Sequence, residues 1–459
     1  MKKYILSNRT DANAARLLGI INAFYIAEKL NTDAFFTWND ELEKYVKNRT
    51  HLPSDKLFDK QKIIGVQIDT KEDIFNEEYL KKHCINIENE KYFSEYSTPL
   101  SSFNEFKNIF LNENYKFFEI PFYMRYSWKD IDLNDYLSKA SIIWDNIGFN
   151  EKILKIIKDA NDKAKQLQNY ISIHIRNSDT VYSYAEFRKY NDLTTYHATP
   201  YELVLELIKE NKDQNIVIFS DDVSSVEEMI KTLNMPNLLF ANDFRDFEKL
   251  TPTQMLIYDV VLMSKSKKIY GTHSSVTRLA SAISNHGSHI NPYDLYNHKK
   301  RYEIIKNNIN ILNLHNDQKA FSLFHLYLSG IRSKIKLKIL QSYLEEALKL
   351  DYDNDKYRIY IIDCLLKQGK AKEADEYIEK ILQERSEEFL NLLIEKIEIN
   401  QEFYFKRLFI NYTINAKKGR NILYIADYLK KHAKNYINSK KNKILLGKIL
   451  NFTYAKRFF

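Results

Sequence analysis

The chain holds two cysteines, three tryptophans, seven prolines and nine glycines in 459 residues. Cys84 and Cys364 lie far apart and show no metal-ligand spacing, which suits a reducing compartment. No apolar run approaches the roughly 20 residues that cross a bilayer. The opening residues, Met1 to Arg9, reach polar side chains too soon for a signal peptide. These absences predict a cytoplasmic protein, peripheral on the inner face of the membrane if something recruits it. With 44% hydrophobic and 28% charged residues the composition is that of a soluble globular protein and not of a disordered one. Its length exceeds one ordinary core, so two or three domains are expected.

Acidic residues are scarce in one place. The last 59 residues carry 14 Lys and Arg against Glu402 and Asp427, a local excess of +12 where the whole chain has only +8. The other 400 residues therefore sum to −4. Aromatics such as Phe403, Phe405, Phe409, Tyr424 and Tyr428 are interleaved with that charge. Two readings stay open for 401–459: an anionic membrane surface, with about 1 kcal/mol per basic residue near lipid, or a solvated helical face. Nucleic acid is not expected, since no recognised binding module is present.

Periodicity supplies the architecture. Tyr4–Leu6 reads as a strand, followed by a polar loop with Arg9, Asp11 and Asn13, a long amphipathic helix from about Ala14 to Leu30 and a strand over Ala34–Trp38. Strands are expected again at Lys62–Val66 and Ile85–Ile87, with a helix at Glu77–Lys82 between them. Residues 88–150 are aromatic-rich and read as a bridge. A second run begins with a helix over Glu151–Asn169 and continues as strands at Tyr170–Ile175, Asn215–Phe219, Leu238–Phe240 and Lys268–Gly271. Helices at Pro200–Lys209, Thr253–Ser264 and Val276–Ser284 alternate with them. Alternating strands and helices imply parallel sheets. The expectation is an α/β chain of two Rossmann-like domains, 1–148 and 149–305, facing across a cleft, with an all-α domain over 312–459.

The most informative stretch is Ile171-Ser172-Ile173-His174-Ile175-Arg176, with Asp179 just beyond. Isoleucines alternate with polar residues, so His174 and Arg176 leave one face at the strand's carboxyl end. Ligands of open α/β sheets sit beyond such ends, and a guanidinium there can grip a phosphate with two parallel charge-assisted hydrogen bonds. A plain Arg176–Asp179 salt bridge is the competing reading. Two further strand ends carry polar clusters: Ser220-Asp221-Asp222, and Thr272-His273-Ser274-Ser275 opening a helix that includes Thr277. A helix start is an anion site, although Ser274 and Ser275 also suit simple capping. Three clusters together point to a phosphate-bearing ligand. Asp130-x-Asp132 reads as a solvated loop or cap.

His174-x-Arg176-x-x-Asp179, then Phe219-Ser220-Asp221-Asp222, then His273-Ser274-Ser275, resembles the donor half of the α-1,2-, α-1,6- and O-fucosyltransferase group over roughly residues 165–290. The resemblance implies a GT-B fold, a GDP-sugar as substrate, no metal and no further cofactor. It implies that Arg176 holds the β-phosphate, that Ser274 and Ser275 line the diphosphate and that Asp221 or Asp222 serves the nucleoside side. The family usually has Arg-Gly where Asn177-Ser178 stands here, and its glycine-rich loop is represented by Asn13 without the glycines. Fucose is therefore one of several GDP-linked sugars to consider, with other deoxyhexoses and heptoses. The general base is open among Asp11, His197 and Glu186, with Asp11 first because it follows the first strand. Arg9 and Asn13 fall on the acceptor side. His174 orients Arg176 or the donor, or is a structural histidine.

From Leu312 the pattern is helical. Gly369 at a turn, Ala374 at a close-packing position and the 34-residue spacing of Ala347-Leu348 and Ile381-Leu382 resemble a tetratricopeptide repeat. Such arrays commonly bind protein partners. The sequence thus predicts a glycosyltransferase acting on a glycan or lipid-linked glycan of the cell surface, such as capsule or lipopolysaccharide. The alternatives are a transferase using a UDP- or CMP-linked donor, a phosphoryl transferase, or a helical-repeat adaptor without catalysis.

Overall fold

A computed structural model describes residues 2–39, 57–58, 61–88, 90–95, 99–182, 197–284, 287–396 and 402–433. The chain divides into two compact units. The first comprises the described residues up to Leu295 except Pro200–Leu203; the second comprises Pro200–Leu203 and the described residues from Tyr296.

The first unit contains ten strands: β1 (Tyr4–Ser7), β2 (Ala34–Phe36), β3 (Leu57–Phe58), β4 (Gln61–Lys62), β5 (Tyr92–Ser94), β6 (Phe117–Glu119), β7 (Tyr170–Ile175), β8 (Asn215–Ser220), β9 (Leu238–Phe240) and β10 (Ile269–Tyr270). They form two four-stranded sheets, ordered β2-β1-β6-β5 and β10-β7-β8-β9, plus the small β3-β4 hairpin. Every pairing within the two large sheets is parallel. The parallel α/β expectation thus holds for both halves, and both sheets belong to the same compact unit.

In the first sheet, Leu6, Ile87 and Phe117 form a buried cluster with Tyr4, Phe35, Ile85 and Tyr92 packed against it. Helix α1 (Asn13–Leu30) follows β1; instead of the amphipathic helix expected, it is buried on nearly every side, Arg16 and Asn22 included with Leu17, Ile20, Ile21 and Ile26. The aromatic bridge contains α2 (Leu133–Asp145), capped by Asp132, whose carboxylate accepts from the Asp135 amide; Asp130 accepts from the amides of Phe103 and Asn104. Both acids of the Asp130-x-Asp132 motif are therefore caps.

Two expected strands are absent. Only Gln61–Lys62 is extended in a ladder, and beyond it the Ile64 amide donates to the Asp221 carbonyl at 2.7 Å, so the segment is claimed by the second sheet's loop instead of joining a sheet of its own. Residues 85–87 run irregularly beside β2, the Ile85 amide donating to Phe36. The actual third and fourth strands of that sheet, β5 and β6, lie inside the aromatic stretch.

In the second sheet β7 is flanked on both sides, and all six of its residues are buried. The sequence alternation suggested one wet face; Ser172 and His174 are instead interior polar residues. Helices α3 (Glu151–Leu167), α4 (Tyr201–Glu210), α5 (Val223–Leu233), α6 (Pro252–Ser264) and α7 (Ser275–Ala282) accompany the strands. Asn150, Asp222, Thr251 and Ser274 cap α3, α5, α6 and α7 through side-chain oxygens. Gly271, between β10 and α7, has no room for a Cβ: one would meet Thr277 Cγ2 at 2.6 Å and the His174 carbonyl at 3.2 Å.

The second unit is helical: α8 (His298–Asn308), α9 (Asn316–Arg332), α10 (Leu337–Leu350), α11 (Lys356–Lys367), α12 (Ala371–Glu384), α13 (Ser386–Leu393), α14 (Phe409–Asn415) and α15 (Arg420–His432). Gly369 turns the chain between α11 and α12 at a φ of 76°, a conformation costly for other residues. Ala347 and Ala374 are fully buried at helix contacts. The start of α15 is held by Asp375, which accepts from the Asn421 and Ile422 amides. Phe403, Phe405 and Phe409 are buried here, so these aromatics of the basic segment are core residues and not a surface for lipid. Residues 434–459 lie outside the described residues.

Candidate functional site

Arg176 leaves β7 at its carboxyl end, and its guanidinium forks onto Asp179, Nε donating to Oδ1 at 3.2 Å and Nη2 to Oδ2 at 2.6 Å. Asp179 is only 1% exposed whereas the arginine side chain keeps 18%. Nη1 lies 3.5 Å from His197 Nδ1. Burial works against the arginine's charge, but the carboxylates of Asp179, Asp221 and Asp11 more than offset it and hold the guanidinium above its ordinary pKa. Ala12 and Asn13, in the stretch after β1, line the same pocket as His174 and Arg176 at the end of β7. The Arg176–Asp179 salt bridge is thus present, with the aspartate sealed and the arginine side chain partly exposed.

Around Arg176 lies a pocket of about 120 Å³. Three helix starts border it: Ala12 and Asn13 at α1, Pro252 at α6, and Ser275 and Val276 at α7. Free N–H groups and the positive ends of helix dipoles favour an anion at such places. The ends of β7 and β8 contribute His174, Arg176, Ser220 and Asp221, and the segment 64–67 closes another side. A larger surface groove, about 680 Å³, runs along α3 between Leu154, Ile157 and the stems of Lys158, Lys165 and Lys265; it has no converging polar groups from strand ends.

Nearby side chains divide into those facing the pocket and those building it. His174 faces it, 8% exposed, with Nδ1 lacking any partner, and burial followed by the Arg176 charge lowers its pKa to about 3. Asp221 accepts from the Asn177 and Ser178 amides through Oδ1, at 2.8 and 3.1 Å, so it organises the turn carrying Arg176. Burial, followed by the Asp179 charge, raises its pKa. Asp222 is fully buried, capping α5 and accepting from the Tyr182 hydroxyl at 2.9 Å. Ser220 accepts from the Asp222 amide. Ser274 is the α7 cap, and the Thr277 hydroxyl donates back to the Thr272 carbonyl; both are completely buried, leaving Ser275 as the residue of that group on the pocket wall. Of Asp221 and Asp222, only Asp221 borders the pocket.

Asn13 donates to the Gln67 carbonyl at 2.7 Å and to Thr253 Oγ1 at 2.8 Å, tying α1 to α6, while its Oδ1 is buried without a partner. Arg9 pairs with Asp11 through both carboxylate oxygens and lies 4.7 Å above the Phe122 ring. His273 is turned away: its Nδ1 contacts His289 Nε2 at 2.9 Å, and it is absent from the pocket wall. Glu186 lies outside the described residues.

Two features escaped the sequence reading. Asp259, on α6, lines the pocket; burial raises its pKa to about 6 although the buried Arg245 stands 3.0 Å away, Nε to Oδ1. A lone acid in the apolar run Met255–Met263 was the available signal. Glu119 ends β6, 4% exposed, and accepts from the Ser94 hydroxyl. Burial raises its pKa to about 7, with Ser94 and the Arg9 charge opposing. Its only sequence signal was an acid closing a short aromatic strand.

No family model matches the chain, and no curated protein matches it. Among solved structures, the chain is similar to NodZ alpha-1,6-fucosyltransferase soaked with GDP-fucose, at 12% identity, covering 62% of this chain and 93% of that one, with a TM-score of 0.36. Fucosyltransferase NodZ from Bradyrhizobium gives 12% identity, 62% and 94% coverage and a TM-score of 0.36. The same enzyme co-crystallized with GDP gives 12%, 62%, 93% and 0.36. At this TM-score the superposition is loose, and no residue role is taken from it.

Proposed function

We propose that the protein is a glycosyltransferase that moves a sugar from a GDP-activated donor, fucose or another deoxyhexose or a heptose, to a cell-surface glycan such as capsule or lipopolysaccharide. One observation carries the reading: Arg176, oriented by Asp179, stands at a parallel strand's carboxyl end where three helix starts converge on one pocket. The motif resemblance in the sequence supports GDP as the nucleotide. A pocket of about 120 Å³ suits the phosphates alone, since pockets enclosing drug-sized ligands run to roughly 300–1,000 Å³; the sugar and nucleoside extend beyond it.

In this reading the bond between the sugar's anomeric carbon and the phosphate oxygen breaks, and negative charge grows on the departing GDP. Arg176 and the α7 start bind that charge more strongly in the transition state than in the ground state, which accelerates the step. The acceptor hydroxyl attacks the anomeric carbon and gives up its proton. Asp11 has both oxygens engaged by Arg9, so we assign the proton to Glu119, whose pKa of about 7 is matched to the task. Glu119 ends β6 beside Leu6 of β1, and the loop following β1 borders the pocket. Asp11 and Arg9 act as a charged pair facing Arg176. The helical unit is read as a tetratricopeptide-like platform for a protein partner, and the basic 401–459 segment as its membrane-proximal face.

Thermal melting with GDP, UDP, CMP and ADP tests the donor. Stabilisation by GDP, abolished in Arg176→Ala, is expected; indifference of the wild-type protein to all four nucleotides overturns the reading in favour of an adaptor.

A further inference from the structure

His273 belongs to a second cluster in the same unit, away from the Arg176 pocket. Its centre is Tyr126, 42% exposed. The Arg278 guanidinium lies 4.5 Å from the Tyr126 ring centroid and that of Arg125 lies 5.3 Å from it. The rings of His273 and His289 stand 6.3 and 6.4 Å from the same ring. Arg125 comes from the short helix Met124–Ser127 behind β6, Arg278 from α7, and the histidines from the loops around β10. Two sheets thus contribute to one spot.

The cluster has donors and almost no acceptors. Arg125 Nη2 donates to Ser288 Oγ at 2.8 Å, but Arg125 Nη1, Arg278 Nε and His289 Nδ1 are buried with no partner. His289 is 7% exposed. Among the described residues the carboxylate paired with the cluster is that of Asp294, 74% exposed and 3.7 Å from His273 Nε2. Unsatisfied buried donors cost free energy, and two neighbouring guanidiniums repel. Burial and then the nearby charges hold the pKa of His289 down to about 3 and lower that of Arg278. The arrangement is what a dianion would repair: two guanidiniums and an imidazole gathered around one exposed ring.

We propose that Arg125, Arg278, His273 and His289 bind a phosphoryl group carried by the acceptor. This rests on the transferase reading, and it deepens it by naming the acceptor as phosphorylated. Tyr126 supplies an exposed ring on which an adjoining sugar can stack. Helix α7 carries both Ser275 of the donor pocket and, three residues on, Arg278 of this cluster, which links the two sites. The phosphate belongs either to a lipid diphosphate linker or to a phosphorylated glycan.

Calorimetric titration of the full chain with geranyl pyrophosphate and with glucose 6-phosphate tests it. The titrations use Arg176→Ala, with GDP-saturated wild type as a parallel arm, so the donor pocket cannot supply the signal. Binding should persist in both arms and fall about tenfold or more when Arg125→Gln and Arg278→Gln are added. The paired Lys substitutions should restore part of it, which guards against a folding defect. Tighter binding of geranyl pyrophosphate marks a lipid-linked acceptor; equal or tighter binding of glucose 6-phosphate marks a phosphorylated glycan. Absence of binding in both arms, or binding unchanged by the glutamines, overturns the proposal while leaving stabilisation by GDP untouched.

Discussion

Arg176 and Asp179 meet fork to fork, three residues apart, with the carboxylate sealed from solvent and the guanidinium left partly open. A buried carboxylate that spends both oxygens on one arginine fixes the orientation of its guanidinium. Arg176→Ala is expected to lower turnover roughly a hundred- to a thousandfold, the size seen when one charge-stabilising donor is removed. Arg176→Lys keeps the charge but not the fork and should recover only a small part. Steady-state kinetics with a GDP-sugar, or GDP titration where the acceptor is unknown, reads both.

Asp221 holds the turn that presents this pair. Its Oδ1 receives two main-chain amides, Asn177 and Ser178. Asp221→Ala leaves both donors without that acceptor, and each buried unsatisfied group costs about 1–3 kcal/mol. Urea denaturation should show destabilisation of that order, and GDP affinity should fall with it. Asp221→Asn, which keeps an acceptor oxygen, should be milder. Equal stability of Asp221→Ala and wild type would mean the turn holds without it.

How much of this was legible beforehand depended on chain locality. The second sheet was read almost residue by residue, because Ile171–Ile175 alternates with the period of a strand and Ile216–Phe219 and Leu238–Phe240 are apolar runs bounded by polar loops. β5 and β6 were not, since three-residue strands carry too few residues for a period, and Phe117-Phe118 looks like any aromatic pair. The Arg176–Asp179 pair follows from a spacing of three. The pairing of Arg245 with Asp259 and the gathering of Arg125, Tyr126 and Arg278 depend on chain crossings that no window can see. His273 illustrates the limit: the motif put it with Ser274 and Ser275, but in the fold its ring meets His289 instead.

His325 sits in α9 of the helical unit, 2% exposed, and burial followed by the charges of Arg301 and Lys356 lowers its pKa to about 3. Its folded pKa is below the unfolded value of 6.5, so the unfolded chain takes up the proton first as pH falls. The stability it contributes is complete above pH 6.5 and is lost on acidification toward pH 3, with a ceiling of roughly 4–5 kcal/mol. His174 and His289 carry the same sign. Thermal melts between pH 7 and 4 should fall steeply for the wild type and less steeply for His325→Gln. Parallel slopes for the two proteins would show that His325 is not among the groups that titrate on unfolding.

Glu119 runs the other way. Its carboxyl pKa is raised from 4.5 to about 7 in the folded state, chiefly by burial. The folded protein therefore holds a proton that the unfolded chain has released. The corresponding stability is complete below pH 4.5 and is lost as pH rises through 7, amounting to roughly 3 kcal/mol. Glu119→Gln keeps a neutral side chain at every pH, so relative to wild type it should gain stability between pH 5 and 8. Catalysis should respond oppositely, because a base must be unprotonated to accept the acceptor's proton. Wild-type turnover should rise with pH through about 7, and Glu119→Gln should lose about a hundredfold or more along with that pH dependence. Asp11→Asn, which leaves Glu119 in place, should keep that pH dependence. Full turnover in Glu119→Gln, with the pH-dependent limb lost in Asp11→Asn, would transfer the base role to Asp11.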